Sequence, residues 1–257
     1  MRNLLLVLLF VPFMVQAETP QEKGLVIAIE TDNRDKGWED SFAEMKMVLR
    51  NRHGGESVRL IRVTNLEVDA DGDKGLTVFD EPRDIKGTAF LSYSHSLTAD
   101  EQWIFLPALK RTKRISSKNK SGPFMGSEFA YEDISSFEVP KYSYIFIRDE
   151  VLDGLDCYVL ELRPQYEYSG YTKSELWIDK AEYRAQKIDY YDRKNSLLKT
   201  QRFKDYKHYL NEFWRARTVE MVNHQTGKST TLFWKNFQFR QGLTDADFSK
   251  NVLKRQR

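Results

Sequence analysis

Only one of the 257 residues, Cys157, carries a thiol. No intrachain disulfide can therefore hold the fold, and the strand-like "DCYVLEL" around Cys157 marks it as an ordinary buried thiol. A charge of one sign is also missing. Lys and Arg number 40 against 38 Asp and Glu, a balance that argues against a nucleic-acid binder, which carries a basic excess. No apolar run is long enough to cross a bilayer as a helix. The chain has no G-x-S-x-G elbow, H-E-x-x-H pair or G-x-x-x-x-G-K-[ST] loop. His53, His95, His208 and His224 show no metal-ligand spacing, and no carboxylate pair stands in an acid/base setting. "DADGDKGLTVFD" (69–80) has acids at calcium-loop spacing. Lys74 occupies the position where the tight turn needs glycine, so a solvated hairpin turn is expected, with no metal, cofactor or catalysis.

What is present begins with an export signal. Arg2 precedes an apolar stretch from Leu4 to Val15, broken by Pro12, and Val15-Gln16-Ala17 is a small-residue cleavage site. Residues 1–17 read as a cleaved signal peptide and 18–257 as a single mature domain. Removing Arg2 leaves 39 cations against 38 acids, a net charge of about +1.

Residues 21–35 read as a helix with Leu25, Ala28, Ile29 and Asp32 on one stripe. "FAEMKMVLRN" then alternates as a half-buried strand, "HGGE" turns, and "SVRLIRVTNLEV" returns. Short strands separated by polar turns follow at 76–80, 86–95, 101–107, 110–115, 142–151, 155–163, 172–179, 184–192, 197–207, 214–223 and 228–239. No helix separates them, which predicts an antiparallel meander closing into a sandwich or barrel. "TDADFSKNVL" ends as a short helix capped by Thr244. Aromatics crowd the strands. They either fill a core or line a cavity inside a curved sheet.

The stretch 100–133, "DEQWIFLPALKRTKRISSKNKSGPFMGSEFAYED", is the most unusual. Trp103 and Phe105 alternate with Ile104 and Leu106, so both faces of that strand should be covered. Six cations without an acid follow between 110 and 120. A mobile Ser/Gly/Asn loop carries Phe124 and Met125, and a helical turn capped by Ser127 leads to Phe129 and Tyr131. The Phe-Met pair either tucks into the protein's own cavity or covers a ligand as a lid. The cations either steer anionic groups to the cavity mouth or form a solvated hairpin paired with Glu128, Glu132 and Asp133.

On "DEQWIFLPALKRTKRISS", "NKSGPFMGSEFAYED", "VFDEPRDIKGTAFL" and "DNRDKGWEDSFAEMKMVLRNRHG" the chain resembles the LolA-like family of outer-membrane lipoprotein-sorting proteins. The resemblance implies a mainly β fold with a few helices: a strongly curved antiparallel sheet forming an incomplete β-barrel, with helices over its open side and a hydrophobic cavity within. It further implies a non-catalytic periplasmic carrier of lipoprotein acyl chains or another lipid, monomeric, in a Gram-negative envelope. An inner-membrane permease and an outer-membrane acceptor would be its partners. The alternative is an envelope interaction or sensor module working with an export permease. Met45, Met47, Trp103, Phe105, Phe124, Met125, Phe129, Tyr131 and Trp177 are then the candidate cavity or lid residues. Arg50, Lys110, Arg111, Lys113 and Arg114 are the candidate rim cations, with Arg50 or Arg52 as the cargo-holding cation that the family places near its first strands.

Overall fold

The computed structural model describes residues 17–69 and 71–256. Apart from Ala17, the signal-peptide segment lies outside the described residues. Every segment that alternates in the sequence is a strand. The first meander is β1 (Asp40–Arg50), β2 (Glu56–Leu66), β3 (Lys74–Glu81), β4 (Ala89–Tyr93), β5 (Glu101–Leu106) and β6 (Arg111–Ile115). The second is β7 (Tyr142–Leu152), β8 (Leu155–Pro164), β9 (Tyr171–Asp179), β10 (Ala185–Asp192), β11 (Leu197–Tyr209), β12 (Phe213–Asn223) and β13 (Ser229–Phe239).

All thirteen belong to one antiparallel sheet in the order β6-β5-β4-β3-β2-β1-β13-β12-β11-β10-β9-β8-β7. The two meanders meet along β1 and β13, where Met45 faces Trp234 and Met47 faces Leu232. The free edges are β6 and β7, so the sheet is not closed, and residues 116–141 join those edges. Ile104 on β5 and Val219 on β12 share one buried cluster, onto which Tyr190 of β10 and Phe203 of β11 pack. These strands are far apart in the sheet order. They share a core because the twisted sheet curls into an incomplete barrel.

The helix α1 (Pro20–Asn33) starts in a reciprocal cap. The Thr19 hydroxyl accepts from the Glu22 amide at 3.2 Å, and the Glu22 carboxylate accepts from the Thr19 amide at 2.8 Å. Its buried face is Gly24, Ile27 and Ala28, packed on Tyr144, Leu160 and Ile178. The expected stripe of Leu25, Ala28, Ile29 and Asp32 holds at the buried Ala28 and is corrected at Leu25 and Ile29, which are 43% and 42% exposed. The cause is Gly24, where a Cβ would stand 2.9 Å from the Phe146 backbone nitrogen. Backbone lies on backbone at that point, and this turns the glycine side of the helix inward. At the C-terminus Thr244 caps a turn over Asp245–Phe248, followed by α2 (Lys250–Leu253). Phe248 and Leu253 are fully buried against β3, β4 and β5, on the outer face of the sheet.

Gly24→Ala should lower stability by about 1–3 kcal/mol through this overpacking. The readout is a lower denaturant midpoint at unchanged m-value; a midpoint equal to the wild type would mean that the approach is not tight.

Candidate binding concavity

The concave face of the sheet is apolar. Met45 and Met47 of β1, Ile61 and Val63 of β2, Phe79 of β3, Phe90 of β4, Met221 of β12 and Leu232 of β13 all point into it and are buried. Such a surface cannot remain wet without losing its burial energy. The segment that covers it is 116–141. It runs from one sheet edge to the other and inserts Phe124, Phe129 and Tyr131. Phe124 is 1% exposed. Its ring meets Phe90 edge-on at 5.1 Å, Tyr131 at 5.5 Å and Phe79 at 6.0 Å between centroids.

This segment is tied down, which corrects the expectation of a mobile loop: of the two places open to the Phe-Met pair, it takes the protein's own concavity. Pro123 and Ala130 form a bridge, and the Phe124 amide donates to the Phe129 carbonyl at 2.7 Å. Met125 takes the left-handed conformation (φ 50°), and Arg59 bonds its carbonyl. Ser127 does not cap a following helical turn. Its hydroxyl closes the turn before it by donating to the Phe124 carbonyl at 2.7 Å, and the Tyr131–Asp133 turn follows Ala130.

Of the solvated-hairpin alternative, the exposure of Lys110, Arg111, Lys113 and Arg114 is observed, but among the described residues the acids that follow form no ion pair with that hairpin. Asp133 pairs with Lys199 of β11 at 2.6 Å, both side chains nearly fully buried, and accepts from the Tyr171 hydroxyl at 2.8 Å. Glu132 accepts from the Gly170 amide at 2.8 Å and the Ser169 hydroxyl at 2.9 Å. Burial, with Asp133 beside it, still raises its pKa. Glu128 accepts from Asn223 at 2.7 Å. Lys120 lies 3.8 Å from the buried Asp100, which Lys141 also binds at 2.5 Å. Burial lowers the Lys120 pKa. The segment is therefore an aromatic plug held by ionic and polar ties to strands and turns of both meanders.

Of the candidate residues, Met45, Met47, Phe124, Met125, Phe129 and Tyr131 come together in this cluster. Trp103 and Phe105 do not. They alternate with Ile104 and Leu106, so they face outward and pack under Phe248 and Leu253. Trp177 is likewise on the outer face, with Cys157 and Val159, because Leu176 and Ile178 take the inner one. Arg50 pairs with Glu56 at 2.6 Å at the tip of the first hairpin, and Arg52 is exposed beside His53. Lys110 is exposed in the β5–β6 turn, and Arg114 pairs outward with Glu101 at 3.0 Å. Arg111 and Lys113 stand opposite Leu106 and Ile104 and so share the concave side of the edge strand. The calcium-loop acids are bound elsewhere: Asp71 by His95, Asp73 by Ser136, Asp80 by Arg62.

Cavities remain beside the plug among the described residues. One of about 1060 Å³ lies between the plug and the β10–β11 and β12–β13 turns, with Arg193, Lys194 and Lys228 on its walls. Another, about 410 Å³, lies at the opposite end of the sheet between the polar starts of β1 and β3 and the aromatic residues of β11–β13. The sequence reading missed Lys199, Gly75 and Ser92. The one signal for the cavity residues was a glycine inside a strand.

A family model described as "Uncharacterized protein" matches residues 71–255. Among curated proteins none matches. A solved domain from Vibrio parahaemolyticus, assigned by its name to outer-membrane lipoprotein sorting, is 58% identical over 91% of this chain and 99% of its own, with a TM-score of 0.90. The chain belongs to the LolA-like outer-membrane lipoprotein-sorting family. A DUF1329 family protein from Desulfovibrio piger is 30% identical over 91% of this chain and 99% of its own, TM-score 0.86. A LolA superfamily protein from Nitrosomonas europaea, 23% identical over 92% of this chain and 100% of its own, shares the fold with a TM-score of 0.72.

In this LolA-like chain, Lys199→Met strands Asp133 without its cation in the interior and should cost about 3–5 kcal/mol, read from chemical denaturation; a loss under 1 kcal/mol would mean that the tie does not hold the plug. Glu138 gives a pH signature. Burial, with Asp73 near it, raises its pKa from 4.5 to about 7. Between those values the folded state keeps a proton that the unfolded chain releases, so stability falls as pH rises, by about 2–3 kcal/mol in all. Glu138→Gln should flatten the stability profile between pH 4.5 and 7; an unaltered slope would assign it to other groups.

Proposed function

We propose that this protein is a periplasmic carrier: exported, cleaved after Ala17, and active as one mature domain. It holds acyl chains of lipoproteins or another lipid in its concavity and passes them toward the outer membrane without catalysis. One observation carries this reading. Beyond the part that α1 covers at Leu160, Leu176 and Ile178, the apolar concave face is covered by one connecting segment and, among the described residues, by no second sheet, and the side chains that fill it are aromatic rings on that segment. An acyl chain in water costs about 0.8 kcal/mol per exposed CH₂, and a dry concavity recovers that cost without a covalent bond.

Uptake exchanges the plug rings for the chain, so the ties at Asp133, Glu132 and Glu128 set the ease of exchange. Arg111 and Lys113, on the concave side of the edge strand, meet anionic headgroups at the mouth. The sorting name of the Vibrio relative supports lipoproteins as cargo. In this reading an inner-membrane permease is the donor and an outer-membrane component the acceptor.

Mass spectrometry of an organic extract of the natively purified mature protein should find acyl lipid near one per chain. Phe124→Ala should bind a fluorescent fatty-acid probe several-fold more strongly while losing about 3–5 kcal/mol of stability. A lipid-free extract together with no probe binding by wild type or variant would end the carrier reading.

A further inference from the structure

The smaller cavity is built unlike the concavity. One wall is a row of small or polar inward positions on adjacent strands: Ser41, Asn65, Gly75 and Ser92 stand side by side in register. Facing it are the aromatic side chains of Phe203, Trp234 and Phe237, the last two stacked at 5.8 Å. Two features of the polar wall stand out: an unpaired hydroxyl, and a glycine that leaves room for the side chain of its cross-strand partner Asn65. Ser92 is 4% exposed, and its hydroxyl has no hydrogen-bond partner, although a buried unmade hydrogen bond is costly. Gly75 sits inside a strand, where glycine weakens the ladder. Its φ is not positive, and no backbone approaches it. An added Cβ would meet only the Asn65 carboxamide oxygen, at 3.1 Å. The position therefore keeps space free beside an unpaired hydroxyl.

The charges around this space are already spent. Lys74 pairs with Asp245 at 2.6 Å and Arg215 with Asp35. Asp73 accepts from Ser136 at 2.7 Å and from the Val68 amide at 3.2 Å. An anionic headgroup finds no uncommitted cation, and a cationic one meets only Asp73, whose hydrogen bonds are already made and whose ionised form burial disfavours.

We propose that this cavity binds an uncharged amphiphile, its apolar body against Phe203 and Trp234 and its hydroxyl or carbonyl hydrogen-bonded to Ser92 in the space above Gly75. This gives the carrier described above a second site, selective for uncharged amphiphiles, and rests on that reading. Binding to the mature protein is measured below micelle concentrations with three twelve-carbon probes: neutral monolaurin, anionic laurate at pH 8 and cationic dodecyltrimethylammonium. Monolaurin should bind at one per chain, at least tenfold more tightly than either charged probe. Ser92→Ala should weaken it about tenfold, the value of one hydrogen bond, without lowering the melting temperature. Gly75→Val, which fills the space, should abolish binding; Ser92→Ala decides the matter if that variant does not fold. Charged probes binding as tightly as monolaurin, or monolaurin binding both variants as it binds wild type, would overturn this assignment and leave the carrier reading standing. No binding of any probe would overturn the assignment, and a lipid-free extract beside it would overturn the carrier reading too.

Discussion

The rest of the structure depends on the coverage of one apolar surface. A sheet of thirteen strands that curls without closing has a concave face lined by Met45, Met47, Phe79, Phe90 and Met221, and in water that face is the costliest part of the molecule. The chain solves this with the segment that has to run from β6 to β7 in any case. Phe124, Phe129 and Tyr131 supply the apolar contact. The acids between and after them supply direction, because each finds its partner on a different strand or turn. Removing the plug would therefore expose apolar area and strand buried charges at the same time.

That combination separates the plug from an ordinary core. An all-apolar plug would be held by area alone and would have many equivalent seats. Lys199 with Asp133, and the Gly170 amide with Glu132, fix one seat. Buried ion pairs contribute little net stability against an apolar substitute, yet breaking one is costly. Opening the plug would require those charges to be rehydrated, which disfavours partly seated arrangements.

Much of this was legible in the sequence, and the failures have physical causes. The strands could be read because alternation and turn residues are local signals. The helix face was misread because Gly24 has no side chain to add to an apolar stripe, though it makes the closest approach. Trp103 and Trp177 were placed on the wrong face because both sides of their strands are apolar, and alternation alone cannot say which side is concave. The plug was read as mobile because its Ser, Gly and Asn are loop residues. The groups that hold it are distant: Lys199 lies 66 residues from Asp133, and Asn223 lies 95 from Glu128. Ser92 gave no signal, since an unpaired hydroxyl exists only in three dimensions.

The strand order has a consequence for how the sheet is assembled. Every neighbouring pair in it is consecutive in sequence except β1 with β13. All but one of the ladders can form by local zipping, with closure entropy that depends only on short turns. The non-local cost of strand pairing falls on a single seam, which must bring residues near 45 to residues near 234. The two meanders share strand pairing only there, and the concavity comes into being when they meet, so the seam times its appearance.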